Sequence, residues 1–235
     1  MFDFHLGDKL TVPSAVIKSP LVVLGKSGQG KSISIIQLVL ELIKYGEPGM
    51  LYDPYGDLAK DVQRQVTLEK AKKSCLFISQ QDFLSSKQLF DSKLFLIVNG
   101  NLLTEGGATT RVISQQVVLK AYQELAPDSW LVIDNAFGMV NEELFERYIA
   151  KNSALRVVLS DQTMINLSAQ QRKQLCEQAQ QYVIYSLQKI DSRWIEELVG
   201  NPKAEEILAL PQYHFYYINL DKVIYTKSLW PVPQI

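Results

Sequence analysis

Short apolar runs recur along the chain, separated by longer stretches of mixed polarity. The runs at 21–24, 50–53, 75–78, 94–98, 130–134, 155–160 and 182–186 are short and almost wholly apolar, which predicts buried strands. Between them, segments 32–45, 58–72, 109–125, 143–150, 168–180 and 192–199 predict helices. In the first of these, Ile33, Ile35, Ile36, Leu38, Val39, Leu40, Leu42 and Ile43 cover most of the circumference, so it is expected to be buried on nearly all sides. Gly46 is its left-handed stop, and Asp191 stands where it would cap the last helix. Residues 81–92 read as a polar connection, and 214–218 with 223–226 as a C-terminal hairpin before a tail holding Pro231 and Pro233. At the N-terminus, Leu10-Thr11-Val12 and Ala15-Val16-Ile17 are strand-like and broken by Pro13. Strands alternating with helices predict βαβ units, an α/β fold and a mostly parallel sheet with helices on both faces.

The bulk numbers change this picture little. At 235 residues, the chain is expected to form one domain with ample core. A hydrophobic fraction of 47% and a charged fraction of 21% are those of a globular protein. The net charge of −1 argues against coating nucleic acid by bulk charge, though not against a local basic patch. Cys75 and Cys176 have no zinc-like spacing and make no disulfide framework, so a reducing, cytoplasmic setting is expected. Met1–His5 lacks a basic start followed by an apolar run, so no signal peptide is expected, and no apolar run is long enough to span a membrane. His5 and His214 are isolated, Cys75 reads as core, and Phe215-Tyr216-Tyr217 fits strand packing better than base stacking.

One stretch carries specific chemistry. The strand at 21–24 runs into Gly25-Lys26-Ser27-Gly28-Gln29-Gly30-Lys31-Ser32 and then into the apolar helix, which completes the pattern G-x-x-x-x-G-K-[ST]. Backbone N–H groups that wrap a phosphate chain need side chains absent where the wrap is close, and the helix N-terminus adds unpaired donors. Lys31 is placed to reach the β- and γ-phosphates, and the Ser32 hydroxyl to hold Mg²⁺. Gly25, Gly28, Gln29, Gly30, Lys31 and Ser32 are therefore the predicted ATP-binding loop.

A phosphate loop of this kind works with a second acid at the carboxyl end of a neighbouring strand. Four apolar residues, Trp130-Leu131-Val132-Ile133, lead to Asp134, which is expected to hold Mg²⁺ together with Ser32.

These blocks, taken with two others, resemble the FtsK–HerA superfamily of DNA-pumping ATPases, which includes conjugative coupling proteins and viral genome-packaging ATPases. The likeness spans about residues 18–210. Asp53-Pro54-Tyr55-Gly56-Asp57-Leu58 is similar to that family's turn after the second strand, which brings Asp53 to the nucleotide. Val157-Val158-Leu159-Ser160-Asp161-Gln162 is similar to its strand ending in a Gln that senses the γ-phosphate, which makes Gln162 a catalytic residue. Lys189-Ile190-Asp191-Ser192-Arg193 resembles a further stretch of FtsK-type motors.

The resemblance implies a RecA-like P-loop core, a homohexameric ring with ATP and Mg²⁺ at subunit boundaries, and double-stranded DNA in the pore. It places the protein in the cytoplasm or, for a viral motor, with the virion, alongside a membrane or capsid partner. Loops 103–111 and 163–173, with Arg111, Arg172 and Lys173, are the candidates to touch DNA phosphates. Two positions depart from the family. Asn135 follows Asp134 where active motors usually carry Glu, and an amide orients water without accepting its proton. Glu142 and Glu143 are the nearby acids that stand in least poorly, although they suit the first turn of a helix better. Lys151 stands where the family often has a trans-acting Arg, leaving Arg156 and Arg193 as alternative fingers. Asn135 and Lys151 together keep open a second class: a nucleotide-binding interaction protein with little turnover.

Overall fold

The structure, a computed structural model, describes residues 2–8, 10–17, 20–66, 69–86, 94–101, 107–150, 154–220 and 222–229. In chain order the elements are β1 (Asp3–Gly7), β2 (Leu10–Pro13), β3 (Leu21–Leu24), α1 (Lys31–Tyr45), β4 (Gly49–Asp53), α2 (Asp57–Gln65), α3 (Glu69–Ser74), β5 (Cys75–Ser79), α4 (Gln80–Ser85) and β6 (Phe95–Asn99). They continue with α5 (Gly107–Glu124), β7 (Trp130–Asp134), α6 (Glu142–Ile149), β8 (Arg156–Asp161), α7 (Ala169–Gln178), β9 (Gln181–Ile184), α8 (Lys189–Val199), α9 (Ala204–Leu208), β10 (His214–Asn219) and β11 (Lys222–Lys227).

Nine strands form one sheet in the order β11-β10-β9-β3-β8-β7-β4-β6-β5. From β9 to β5 every neighbouring pair is parallel, and the antiparallel β10–β11 hairpin extends one side. The alternation of side chains along the strands divides the core in two. Leu21, Val23, Leu51, Ile97, Val132 and Val158 point into a core shared with α1 and α2. Val22, Leu24, Met50, Leu96, Leu131, Ile133 and Leu159 point into one shared with α5, α6, α7 and α8. The expected α/β sheet, covered on both faces, is the observed one.

The all-round apolar α1 is buried because a second layer lies over it. β1 and β2 pair in a small antiparallel sheet, and its Phe4, Leu6, Leu10 and Val12 belong to the α1 core. The Phe4 ring meets Trp130 edge-on, with centroids 5.2 Å apart. Helix α1 stops at Gly46, as expected, with φ 68° and its N–H bonded to the Ile43 carbonyl.

Several expectations need correction. Residues 3–7 form a strand that the sequence reading missed, although Phe4 and Leu6 alternate with Asp3 and His5, and Ser14–Val16 is a 3-10 turn, not a strand. The segment 58–72 is two helices, and 80–85 is helical, with the Ser79 hydroxyl accepting from the Asp82 N–H as its cap. Asp191 does not cap the last long helix: α8 begins earlier, at Lys189, and Asp191 is turned inward. Lys151, residues 103–106 of the first expected DNA loop, residues 87–92 of the polar connection, and Pro231 and Pro233 lie outside the described residues.

Tyr185, just after β9, ties the site-bearing layer together. It is fully buried, and its hydroxyl shares hydrogen bonds of 2.5 Å with Ser34 on α1 and 2.6 Å with Ser228 after β11. Burial pushes its phenol up to about 12. Tyr185→Phe leaves both serine hydroxyls buried without that partner, so it should lower unfolding stability by about 1–3 kcal/mol, measured by urea denaturation.

Candidate nucleotide-binding site

The carboxyl ends of β3, β8, β7 and β4 lie side by side at one edge of the sheet. There they open into a cleft of about 500 Å³. Its lining brings together Lys26, Ser27, Gly28, Gly30, Lys31, Ser32, Asp53, Asp134, Asn135 and Gln162. Chain positions from 26 to 162 thus converge because parallel strands all present their ligand-facing loops at the same edge.

The phosphate loop has the conformation its glycines allow. Gly28 and Gly30 have φ of 75° and 113°, values open to glycine. A methyl group on Gly25 would stand 2.6 Å from Cβ of Tyr185, so only glycine lets β3 lie this close to the chain after β9. Gly30 is the N-cap of α1, its carbonyl accepts from the Ile33 N–H at 3.0 Å, and the Lys31 and Ser32 N–H groups before it have no intrahelical acceptor. The loop is also held from behind, because Gln212 Nε2 donates to the Gly28 carbonyl at 2.8 Å and the Tyr213 N–H to the Gln29 carbonyl at 2.8 Å. Tyr213 takes φ 66° to do so, an unusual conformation for a bulky residue.

Asp134 ends β7 facing the cleft. Its Oδ1 accepts from the Ser160 hydroxyl at 2.7 Å, and its Oδ2 from the Asn135 amide at 3.1 Å. Burial pushes its carboxyl above the usual range, while the Lys31 ammonium, foremost among the opposing influences, pulls it back. Ser32 is exposed at the mouth of α1, whereas Lys31 is only 9% exposed. Among the described residues no three His, Cys, Asp or Glu side chains are grouped to hold a metal by themselves. A hydroxyl, one strand-end acid and an anion-ready loop suit Mg²⁺, which keeps waters and takes phosphate oxygens as further ligands. The residues present therefore fit Mg-ATP, with Ser32 and Asp134 placed to hold the cation and Lys31 to meet phosphate oxygens.

Asn135 is not a free amide aimed at water. It sits at φ 52°, where Asn is well tolerated, and donates to Asp134. Asp53 lines the cleft, yet its own turn holds it. Oδ1 accepts from the Tyr55 N–H at 3.0 Å and Oδ2 from the Ala59 N–H at 2.9 Å, which anchors the start of α2. Burial pushes the Asp53 carboxyl up, against these donors, and nearby Asp134 adds to the rise. Gln162 is exposed and borders the cleft just past β8.

The expected DNA-facing and finger cations are mostly engaged within the chain. Arg111 lies within α5, not in a loop, and donates to the Val140 carbonyl. Arg172 belongs to α7, donates to the Leu167 carbonyl and sits 3.6 Å over the Trp194 ring. Arg156 begins β8 at the opposite edge of the sheet from the cleft and lies over Trp130, with its guanidinium carbon 5.3 Å from the ring centroid. Lys173 and Arg193 are exposed. Glu142 and Glu143 open α6, as their pattern suggested, and Glu143 pairs with Arg147 at 3.1 Å.

Sequence reasoning overlooked Ser160, Gln212 and Tyr213. Ser160 is brought to Asp134 by the register of β7 on β8, which the sequence does not display. Nothing local marks the other two, which arrive through the long-range return of β10.

Comparison of the sequence with models of protein families finds no match, and comparison with characterised proteins finds none. Solved structures do match. The genome-packaging NTPase B204 of Sulfolobus turreted icosahedral virus 2, in complex with ATP-gammaS, is 18% identical, with 93% of this chain and 99% of that one covered at a TM-score of 0.56. VirB4 of Thermoanaerobacter pseudethanolicus is 13% identical, with 95% of each chain covered and a TM-score of 0.72. The bacterial conjugative coupling protein TrwB, in complex with the GTP analogue GDPNP, is 12% identical, with 95% of this chain and 88% of that one covered and a TM-score of 0.67. The chain shares the fold of these proteins, an α/β architecture built on a largely parallel sheet with helices on both faces. No helix among the described residues is long and apolar enough to cross a membrane.

Proposed function

We propose that the protein binds ATP with Mg²⁺ in the cleft and is the ATP-binding subunit of a homohexameric DNA translocase of the packaging or conjugative-transfer kind. The observation that carries this reading is the convergence of Lys31, Ser32, Asp134 and Gln162 on one cleft. The fold shared with a genome-packaging NTPase and a conjugative coupling protein supports the DNA half of it. In this reading, loop amides and Lys31 bind the phosphate chain, and Ser32 and Asp134 hold the cation that neutralises developing charge. Gln162 orients the γ-phosphate end. Exposed Arg193, or Lys151, serves a neighbouring subunit's site. DNA contact rests on backbone phosphates, in which Lys173 takes part and Arg111 and Arg172 do not. The test is ATP hydrolysis with and without double-stranded DNA at low salt. Stimulation by DNA is expected, and absence of both stimulation and DNA binding rejects the motor.

A second reading is favoured by one observation: Asn135 spends its amide on Asp134 and offers no base. It has the protein assemble on ATP with negligible turnover. Brisk hydrolysis by the purified protein rules it out.

A further inference from the structure

Asp161 bonds to three of the segments that build the cleft but is not among the residues lining it. It is the last residue of β8 and is 4% exposed. Its Oδ1 accepts from the N–H of Gln162 at 2.6 Å and, more weakly, of Thr163 at 3.4 Å. Its Oδ2 accepts from the N–H of Phe137 at 2.8 Å and of Gly138 at 3.2 Å, in the loop that follows Asp134 and Asn135. Its backbone carbonyl accepts from the N–H of Gly25, the first residue of the phosphate loop, at 3.3 Å. A buried carboxylate holding four amides is fixed in place, because charge-assisted bonds are short and directional.

We propose that Asp161 is a positioning residue that locks the acid loop at 135–138 to the sensor loop at 162–163, so that both respond together to the γ-phosphate. This rests on the reading of the cleft as a nucleoside triphosphate site. The carboxylate accepts at both oxygens, and one set of donors lies on each loop, so neither loop shifts without disturbing the other. The sensor loop has a second anchor on its far side, where the Met164 N–H donates to Asp191 Oδ1 at 3.0 Å. Gln162 therefore sits between two buried acids that hold its neighbours' backbone, and its side chain alone is left to answer the ligand. An acid is needed at 161 because an amide presents one accepting oxygen and one donating nitrogen, and the donating end would face N–H groups.

The test measures affinity of the wild type, Asp161→Asn, Gln162→Ala and the double variant for a non-hydrolysable ATP analogue and for ADP, each with Mg²⁺. The wild type should prefer the triphosphate. Asp161→Asn should lose about tenfold or more of that preference, the scale of a charge-assisted bond, with ADP affinity nearly unchanged. Gln162→Ala should lose a similar amount, and the double variant no more than either single one. A folded Asp161→Asn that keeps the preference, or losses that simply add in the double variant, overturns the inference and leaves the nucleotide site standing. A wild type that binds neither nucleotide overturns the site and the inference with it. Should Asp161→Asn fail to fold, amide hydrogen exchange in the wild type decides. The triphosphate analogue, but not ADP, should slow exchange at 137–138 and at 162–163 together, and slowing at 162–163 alone overturns the coupling.

Discussion

Lys31→Ala is expected to weaken ATP binding by about tenfold to a hundredfold and leave the fold in place. One charge-assisted contact to a phosphate is worth about 1.5–3 kcal/mol, and about 1.4 kcal/mol makes a factor of ten. The side chain is 9% exposed, but it borders the cleft with its charge near Asp134 and contributes nothing to the two hydrophobic cores. Removing the ammonium also removes the chief influence that lowers the Asp134 carboxyl, so that acid should take up a proton more readily and hold the cation less well. Titration with a fluorescent ATP analogue beside a thermal melt reads both effects. Unchanged affinity in a folded variant removes the phosphate-loop assignment.

Asn135→Glu is expected to raise ATP hydrolysis, if the protein is a motor slowed by the lack of a base. A well-placed general base contributes about 10²–10⁴-fold, and the gain here should fall short of that range for two structural reasons. The native amide donates to Asp134, whereas a carboxylate there repels it and must turn away before it reaches water. The backbone at φ 52° also suits Asn better than Glu, at a cost of roughly 1–2 kcal/mol. That penalty should lower the melting temperature by about 2–4 °C per kcal/mol for a chain of this size. Asn135→Gln separates length from charge and should give no gain. If Asn135→Glu binds ATP normally and turns it over no faster, the missing base is not the main deficit, and the assembly reading gains.

Much of the molecule is legible in the sequence, for a physical reason. Parallel strands are short and apolar, six of them buried on both faces and β5 at the sheet edge partly exposed, so all seven stand out, and Gly25, Gly30, Lys31 and Ser32 carry a spacing that phosphate geometry demands. What is hidden depends on partners far along the chain. Asp3–Gly7 alternates polar and apolar residues over too few positions to stand out until it is seen paired with β2 and lying over α1. Asp191 looks like a helix cap because caps and buried acids share residue types, and only the fold reveals its bond to Met164. Arg111 and Arg172 read as free cations, since charge alone does not disclose that Val140 and Trp194 occupy them. Asp53 reads as a nucleotide contact and does line the cleft, and what the sequence hides is that its oxygens also hold its own turn.

The place of β3 in the sheet sets the order in which the molecule can be made. This strand is synthesised early, yet its two partners come late, with Leu21 opposite Val158 on β8 and Gln181 on β9. During translation the nascent chain carries a strongly apolar strand and an apolar α1 with neither edge of β3 paired. Long-range parallel pairing is slow to form, and unpaired edges of this kind are where chains associate wrongly. Fragments that end before β8 should therefore be insoluble, and the phosphate loop gains its final shape only after Gln212 and Tyr213, which hold Gly28 and Gln29 from behind, have left the ribosome.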